Sequence, residues 1–241
     1  VVGFFDENSV QSSVSDTIVH SHLFEHVYDP LSFMRAINNN LRIGGDLLFS
    51  VPNMGAMLER GYNNALNFEH TYLLDEECIA FLLASHGFEV MRKEFFRDDH
   101  SIFFHASRTG QTAPAELSSS RYERNSELFL NWTNNLSHVA SSVMNQIKNE
   151  DGAKFFFGAH VFSQLLFASG LDESQFSGIL DNDNEKHGKR LSGTGLSVFS
   201  VEQLANLEKG TIVLGAGVYN HEIQQQLMAT FGERFELIIL T

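Results

Sequence analysis

Two short runs of this chain hold side chains able to move a proton. In Asn67-Phe68-Glu69-His70-Thr71-Tyr72 a carboxylate directly precedes a histidine. A neutral imidazole is the usual side-chain base near neutral pH, and a neighbouring carboxylate orients it and raises its basicity. On that division of labour His70 is the base and Glu69 its support, and the chemistry is removal of a proton from a carbon beside a carbonyl. The plain alternative is a loop histidine hydrogen-bonded to backbone. The second run, His20-Ser21-His22, follows the apolar stretch Thr17–Val19. It is either a polar strand exit with ordinary hydrogen bonds or part of a cleft, in which case His22 is the second candidate base. His26, at a helix start, is expected to be structural. Cys78 stands alone, so neither a disulfide framework nor a cysteine zinc site is expected, and no metal ligands are assigned.

The elements that must position these residues fall into three parts. Residues 1–108 alternate strands and helices. Strands are expected over Val1–Phe5, Thr17–Val19, Leu47–Val51, Phe88–Met91 and Ser101–Phe104. Helices are expected over Leu31–Leu41 and Asp75–His86, the second opened by Asp75 as N-cap and closed by Gly87. Residues 109–120 (TGQTAPAELSSS) are small and polar and read as a linker. Residues 121–241 open with a long helix, Tyr122–Lys148, on which Phe129, Trp132, Leu136, Val139, Val143 and Ile147 form one apolar stripe. A strand–turn–helix pattern follows. Lys154–Phe157 runs into Gly158-Ala159-His160, a helix extends to Ala168, Phe176–Leu180 ends in Asp181-Asn182-Asp183, and Thr211–Leu214 runs into Gly215-Ala216-Gly217. Strands alternating with helices imply an α/β protein with parallel, doubly wound sheets.

Composition narrows the partners. With 43% hydrophobic residues and 22 Phe in 241 residues, the chain has ample material for packed cores. A formal charge of −14 argues against nucleic acid, whose recognition needs a basic footprint. No apolar run approaches the about 20 residues of a membrane span, so no membrane partner is expected and a cytoplasmic setting fits best.

The stretch 16–53 resembles part of the class I S-adenosylmethionine (SAM) methyltransferase fold. It carries Asp16 at a strand start, then Glu25-His26-x-x-Asp29-Pro30 leading into a helix. Leu41-x-x-Gly44-Gly45-x-Leu47 and Pro52-Asn53 then frame the next strand, with a Gly-Gly turn before it. Gly87-Phe88-Glu89 and the strand pair after it resemble the antiparallel hairpin that ends that fold. The resemblance implies a chain that starts inside the cofactor domain, with the Gly-rich cofactor turn preceding Asp16, so residues 1–108 form a partial SAM domain.

An ordered series in the last part narrows the resemblance. Phe157-Gly158-Ala159, Gly170-Leu171-Asp172, Asp181-Asn182-Asp183-x-x-Lys186-x-Gly188-Lys189, Ser192-Gly193-Thr194 and Tyr219-Asn220-x-Glu222-Ile223 resemble the C-terminal domain of sugar C-methyltransferases acting on nucleotide-linked 4-keto-6-deoxyhexoses. This implies SAM as cofactor, a nucleotide-linked sugar as substrate, and zinc only in an upstream domain if one exists. It also implies His20 and Ser21 beside SAM, and His70, Glu69 and His22 at the reacting carbon. Asn53, Asn67 and Tyr72 would touch the sugar, and Gly158, Asp181, Lys189 and Asn220 its nucleotide. The family's Tyr-His-Glu-His signature stands here as Asn67-Phe68-Glu69-His70: the Glu-His pair is kept and the Tyr and first His are replaced. Methylation at oxygen or nitrogen is therefore a second reading. A third is a last domain that binds a nucleotide-sugar without chemistry, or only packs on its neighbour.

Overall fold

A computed structural model describes residues 5, 14–62, 65–96, 99–113 and 116–240. The expected strand at Val1–Phe5 lies outside the described residues except for Phe5. The chain divides into two compact units, residues 1–129 and 130–241.

The first unit contains β1 (Ser15–Ser21), α1 (Pro30–Asn40), β2 (Leu41–Pro52), α2 (Met54–Glu59), α3 (Glu76–Ser85), β3 (Phe88–Phe96), β4 (Ser101–Arg108) and the start of α4 (Arg121–Ile147). The strand order is β1-β2-β4-β3. β1 and β2 are parallel, while β4 runs antiparallel to both β2 and β3. The expected terminal hairpin is thus present, with its second arm inserted into the sheet. α1 starts where Asp29 accepts the amides of Leu31 and Ser32, with Pro30 in the first turn. α3 starts where Asp75 accepts the Cys78 amide, and Glu76 and Glu77 complement the helix dipole.

The core of this unit lies on one face of the sheet. Phe33, Met34 and Ile37 of α1, with Ile79, Leu82 and Leu83 of α3, pack against Leu47, Phe49, Val51, Ile102, Phe104 and Ala106. These strand residues alternate along β2 and β4, as a sheet covered on one side requires. The opposite face leaves Val19 70% and Phe103 44% exposed, above a shallow hollow of about 380 Å³ that Ser21, Ser50, Arg92, Glu94 and His105 also line.

The expected Gly-Gly turn is a bulge inside β2. Ser15 pairs with Leu41 and Thr17 with Asp46, so two steps along β1 match five along β2. Gly44 has φ +73°, and a side chain on Gly45 would stand 2.9 Å from the Asp16 carbonyl oxygen. The stretch after β4 is laid along α3: the amides of Thr109 and Gly110 donate to Gly87, and that of Ala113 to Ala84. The first turns of α4 are held by Asp75, whose Oδ2 accepts Arg121 Nε at 2.9 Å and Asn125 Nδ2 at 2.7 Å.

In the second unit α4 buries Trp132, Leu136, Ala140, Val143 and Ile147. Ala140, not Val139, continues the stripe, because a 3.6-residue turn drifts off a strict three-four alternation. β5 (Ala153–Phe157), α5 (Val161–Ala168), β6 (Gly178–Leu180), β7 (Val198–Phe199), β8 (Gly210–Leu214), α6 (Asn220–Phe231) and β9 (Phe235–Ile239) follow. The strand order is β7-β6-β5-β8-β9, all parallel. This is a Rossmann-like sheet whose order reverses between β5 and β8. β6 is shorter than the expected Phe176–Leu180, because the Phe176 amide closes a 3-10 turn on Glu173. Among the described residues no helix is long and apolar enough to cross a membrane.

Candidate functional site

Parallel strands of an open α/β sheet present their carboxyl ends to ligands, and the end of β1 is where polar side chains converge. The His22 amide donates to the Ser50 carbonyl at 3.0 Å, prolonging the strand pairing by one residue. His22 itself takes φ +46°. A left-handed conformation costs a residue with a β-carbon about 1–2 kcal/mol and is met chiefly where the surroundings impose it. It turns the chain into a 3-10 turn, Phe24–His26, which drives Glu25 inward to 1% exposure. Neither Glu25 carboxylate oxygen accepts a hydrogen bond. His22 Nδ1 lies 3.3 Å and His26 Nε2 3.9 Å from Glu25 Oε1. From the 67–72 loop comes His70, which with Glu25 and His26 forms a trio whose nitrogen and oxygen atoms lie within 4.8 Å of one another.

Main-chain contacts fasten that loop to the turn. His26 Nδ1 donates to the Glu69 carbonyl at 3.0 Å. The Thr71 amide donates to the Glu25 carbonyl at 2.9 Å, and Thr71 Oγ1 donates to the Val27 carbonyl at 2.6 Å. The Tyr72 hydroxyl donates to the Tyr28 carbonyl at 3.0 Å. Asn67 starts the loop with its side-chain oxygen accepting the Glu69 amide at 3.2 Å, the local turn typical of Asn.

Burial lowers the His70 pKa, against an opposing pull from Glu25 and a weaker one from Glu69, so the ring is neutral at pH 7. Nδ1 of that ring is shut off from solvent without a hydrogen-bond partner. The carboxylate that acts most on His70 is therefore that of Glu25. Glu69 contributes its main-chain carbonyl, which holds His26.

The remaining sequence candidates of the first unit are placed as follows. The His20 ring stands among phenylalanines, stacked on Phe49 at 5.1 Å and edge-on to Phe33 at 5.4 Å. Both ring nitrogens are buried without partners, and burial pushes its pKa down to about 4. Ser21 Oγ bonds Ser50 Oγ at 2.7 Å. Ser101 Oγ lies 3.3 Å from His22 Nε2 and 3.0 Å from His100 Nδ1. Asn53 caps α2 through the Ala56 amide, and its own amide donates to the His100 carbonyl at 2.9 Å. The strand ends thus bring His22 and His70 together around Glu25. Sequence reasoning took Glu25-His26 as a helix start; the signal that marks them is the clustering of His22, Glu25 and His26 within five residues.

In the second unit, Gly158 and Asp181 follow the ends of β5 and β6, and Asn220 opens α6. Gly158 has φ +117°, and a side chain there would meet His160 Nε2 at 2.7 Å. Asp181 Oδ2 accepts the Ala159 amide at 2.7 Å and faces Lys186 Nζ at 3.1 Å. The carboxylate thus occupies an amide that an anion at this turn would use. Asn220 bridges the Ala216 amide (2.8 Å) and the Leu240 carbonyl (2.6 Å). Lys186, not Lys189, is the cation beside Asp181; the main chain of Lys189 pairs with Lys186 and Val198.

Residues 3–93 match the profile of a methyltransferase domain family. No curated protein matches the chain. Among solved structures, the Thermus thermophilus 16S rRNA N2 G1207 methyltransferase (RsmC) in complex with AdoMet and guanosine is 11% identical. It matches over 98% of this chain and 67% of its own, with a TM-score of 0.27. By the family profile, residues 3–93 are a methyltransferase domain, for which SAM is the implied cofactor. At the end of β1 the His20 ring is enclosed by phenylalanines and Ser21 is engaged with Ser50.

Proposed function

We propose that this methyltransferase domain acts on a nucleotide-linked keto-deoxysugar, methylating the carbon beside its carbonyl after His70 removes the proton. The observation that carries the reading is the convergence of His70 and His22 on the buried Glu25 carboxylate at the strand ends. A neutral imidazole facing a buried carboxylate is equipped to take a proton, and the imidazolium it becomes gains a charge partner. Support for a sugar-nucleotide comes from the ordered motifs of the Rossmann-like unit, with Gly158 and Asp181 at adjacent strand ends. The replaced Tyr and His positions at Asn67 and Phe68 favour methylation at oxygen or nitrogen as the second reading.

Solvent exchange separates the two. The protein is incubated in D2O with a nucleotide-linked 4-keto-6-deoxyhexose, and the proton beside the carbonyl is followed by NMR, with and without SAM. Carbon methylation requires loss of that proton to the base, and without SAM the return of a solvent deuteron to the same carbon should be seen as exchange. Methyl transfer without any exchange would move the acceptor atom to oxygen or nitrogen.

A further inference from the structure

Glu25 is 1% exposed, yet neither carboxylate oxygen accepts a hydrogen bond. An ionised carboxylate removed from water is strongly disfavoured unless a charge or a set of donors compensates it. The groups that surround it are imidazoles. His26 donates from Nδ1 to the Glu69 carbonyl, which in the neutral ring fixes the tautomer and leaves the Nε2 lone pair free to ligate, 3.9 Å from Glu25 Oε1. One ring nitrogen on a backbone carbonyl and the other free toward a cluster is the arrangement of metal-binding histidines. The His70 Nδ1 is equally buried and without a partner.

We propose that Glu25, His26 and His70 bind one divalent transition-metal ion of the zinc type, with His22 supporting the ligand carboxylate. Two imidazole nitrogens and one carboxylate oxygen suit zinc and its neighbours, whereas calcium and magnesium select oxygen donors. The three ligand atoms lie within 4.8 Å of one another. Around a tetrahedral ion with bonds of about 2.1 Å they would stand about 3.4 Å apart. Closing that difference takes side-chain rotation and no rearrangement of the strands. His22 Nδ1, 3.3 Å from Glu25 Oε1, stands where an outer partner holds a ligating carboxylate in place. An imidazole nitrogen that ligates an ion no longer takes up a proton, so metal binding suppresses base chemistry at His70. The site itself is independent of the acceptor, since its occupancy is read without turnover.

The test titrates metal-stripped protein with Zn2+ by calorimetry and records the visible absorption of the Co2+ form as a readout of coordination. One ion per chain is expected. His26→Ala, His70→Ala and Glu25→Gln should each weaken Zn2+ binding by about tenfold or more and abolish the Co2+ bands, with circular dichroism confirming each fold. His138→Ala, on an exposed position of α4, should leave both readouts unchanged. Should Glu25→Gln fail to fold, the two histidine variants decide. Absence of Zn2+ uptake by the wild type, or wild-type affinity in either histidine variant, overturns the proposal. Zn2+ uptake, together with no proton exchange on the keto-sugar by the metal-stripped protein, leaves the metal site standing and removes the proposed acceptor.

Discussion

His26 Nδ1 lies 3.0 Å from the backbone carbonyl oxygen of Glu69, 43 residues further along the chain. A carbonyl only accepts, so Nδ1 carries a proton, and in the neutral ring Nε2 is the acceptor nitrogen facing Glu25. The bond joins the 3-10 turn after β1 to the 67–72 loop, and so fixes where His70 stands relative to Glu25. It uses the main chain of Glu69, not its carboxylate.

From this follows a ranking of two carboxylates. Glu25→Gln should lower turnover by about tenfold or more, because it removes the charge that steadies a protonated His70. Glu69→Gln should cost about twofold or less, since its carbonyl remains. Steady-state kcat of the two variants checks the order; a larger loss in Glu69→Gln would return the supporting role to Glu69.

Thr71 fastens the loop through one hydroxyl, which donates to both Val27 and Glu25 carbonyls at 2.6 and 3.1 Å. Thr71→Val keeps the shape and removes both bonds. The expected loss of stability is about 1 kcal/mol, measured by urea unfolding. An unchanged midpoint and slope would show that the loop is held elsewhere.

Burial holds the His20 pKa at about 4, below its ordinary value of about 6.5. The unfolded chain therefore takes the proton first. The ring's contribution is complete above pH about 6.5 and is lost as pH falls toward about 4, a swing of about 3 kcal/mol. His20→Phe preserves the contacts with Phe24, Phe33 and Phe49 and removes the titration. Urea unfolding at pH 7 and 4.5 should show the variant losing about 2 kcal/mol less than the wild type over that interval. Equal losses would place the acid sensitivity in other groups.

Asp75 works in the opposite sense. Burial alone would raise its pKa, but bonds from Asn125 and the Cys78 amide and the Arg121 charge outweigh that and leave it lowered. Its stabilisation is present above the ordinary carboxylate range and is lost as pH falls through the lowered value. Asp75→Ala removes the cap of α3 and the anchor of α4, for an expected loss of about 2 kcal/mol at pH 7. Asp75→Asn should flatten the acid limb of the stability profile. A steep acid limb in that variant would contradict the assignment.

Elements governed by local chemistry were legible in the sequence: Asp75 as N-cap, the strand pair after Gly87, and the alternation that yields the parallel sheet of the second unit. What escaped was set by distant partners. β7 is two residues long and is defined by its parallel pairing with β6, as β9 is by its pairing with β8. The bulge at Gly44-Gly45 follows from β1 and β2 having unequal lengths over the same span. At the site, His70 and His22 carried a signal as titratable residues in a loop and at a strand end. Glu25 taken alone did not, because a glutamate before a helix gives no sign that a 3-10 turn will bury it; only its clustering with His22 and His26 marks it. His20 stood in the same polar run as His22, yet strand alternation points it at the phenylalanines.

The role proposed for His70 is to take the proton from the carbon that is methylated. It is tested most directly by solvent-deuterium exchange on the nucleotide-linked keto-sugar, in protein kept metal-free with chelator. The wild type should exchange the proton beside the carbonyl, and His70→Ala should do so about a hundredfold more slowly, the loss expected for a positioned base. Exchange at the wild-type rate in His70→Ala would rule out His70 as the base and move that role to His22.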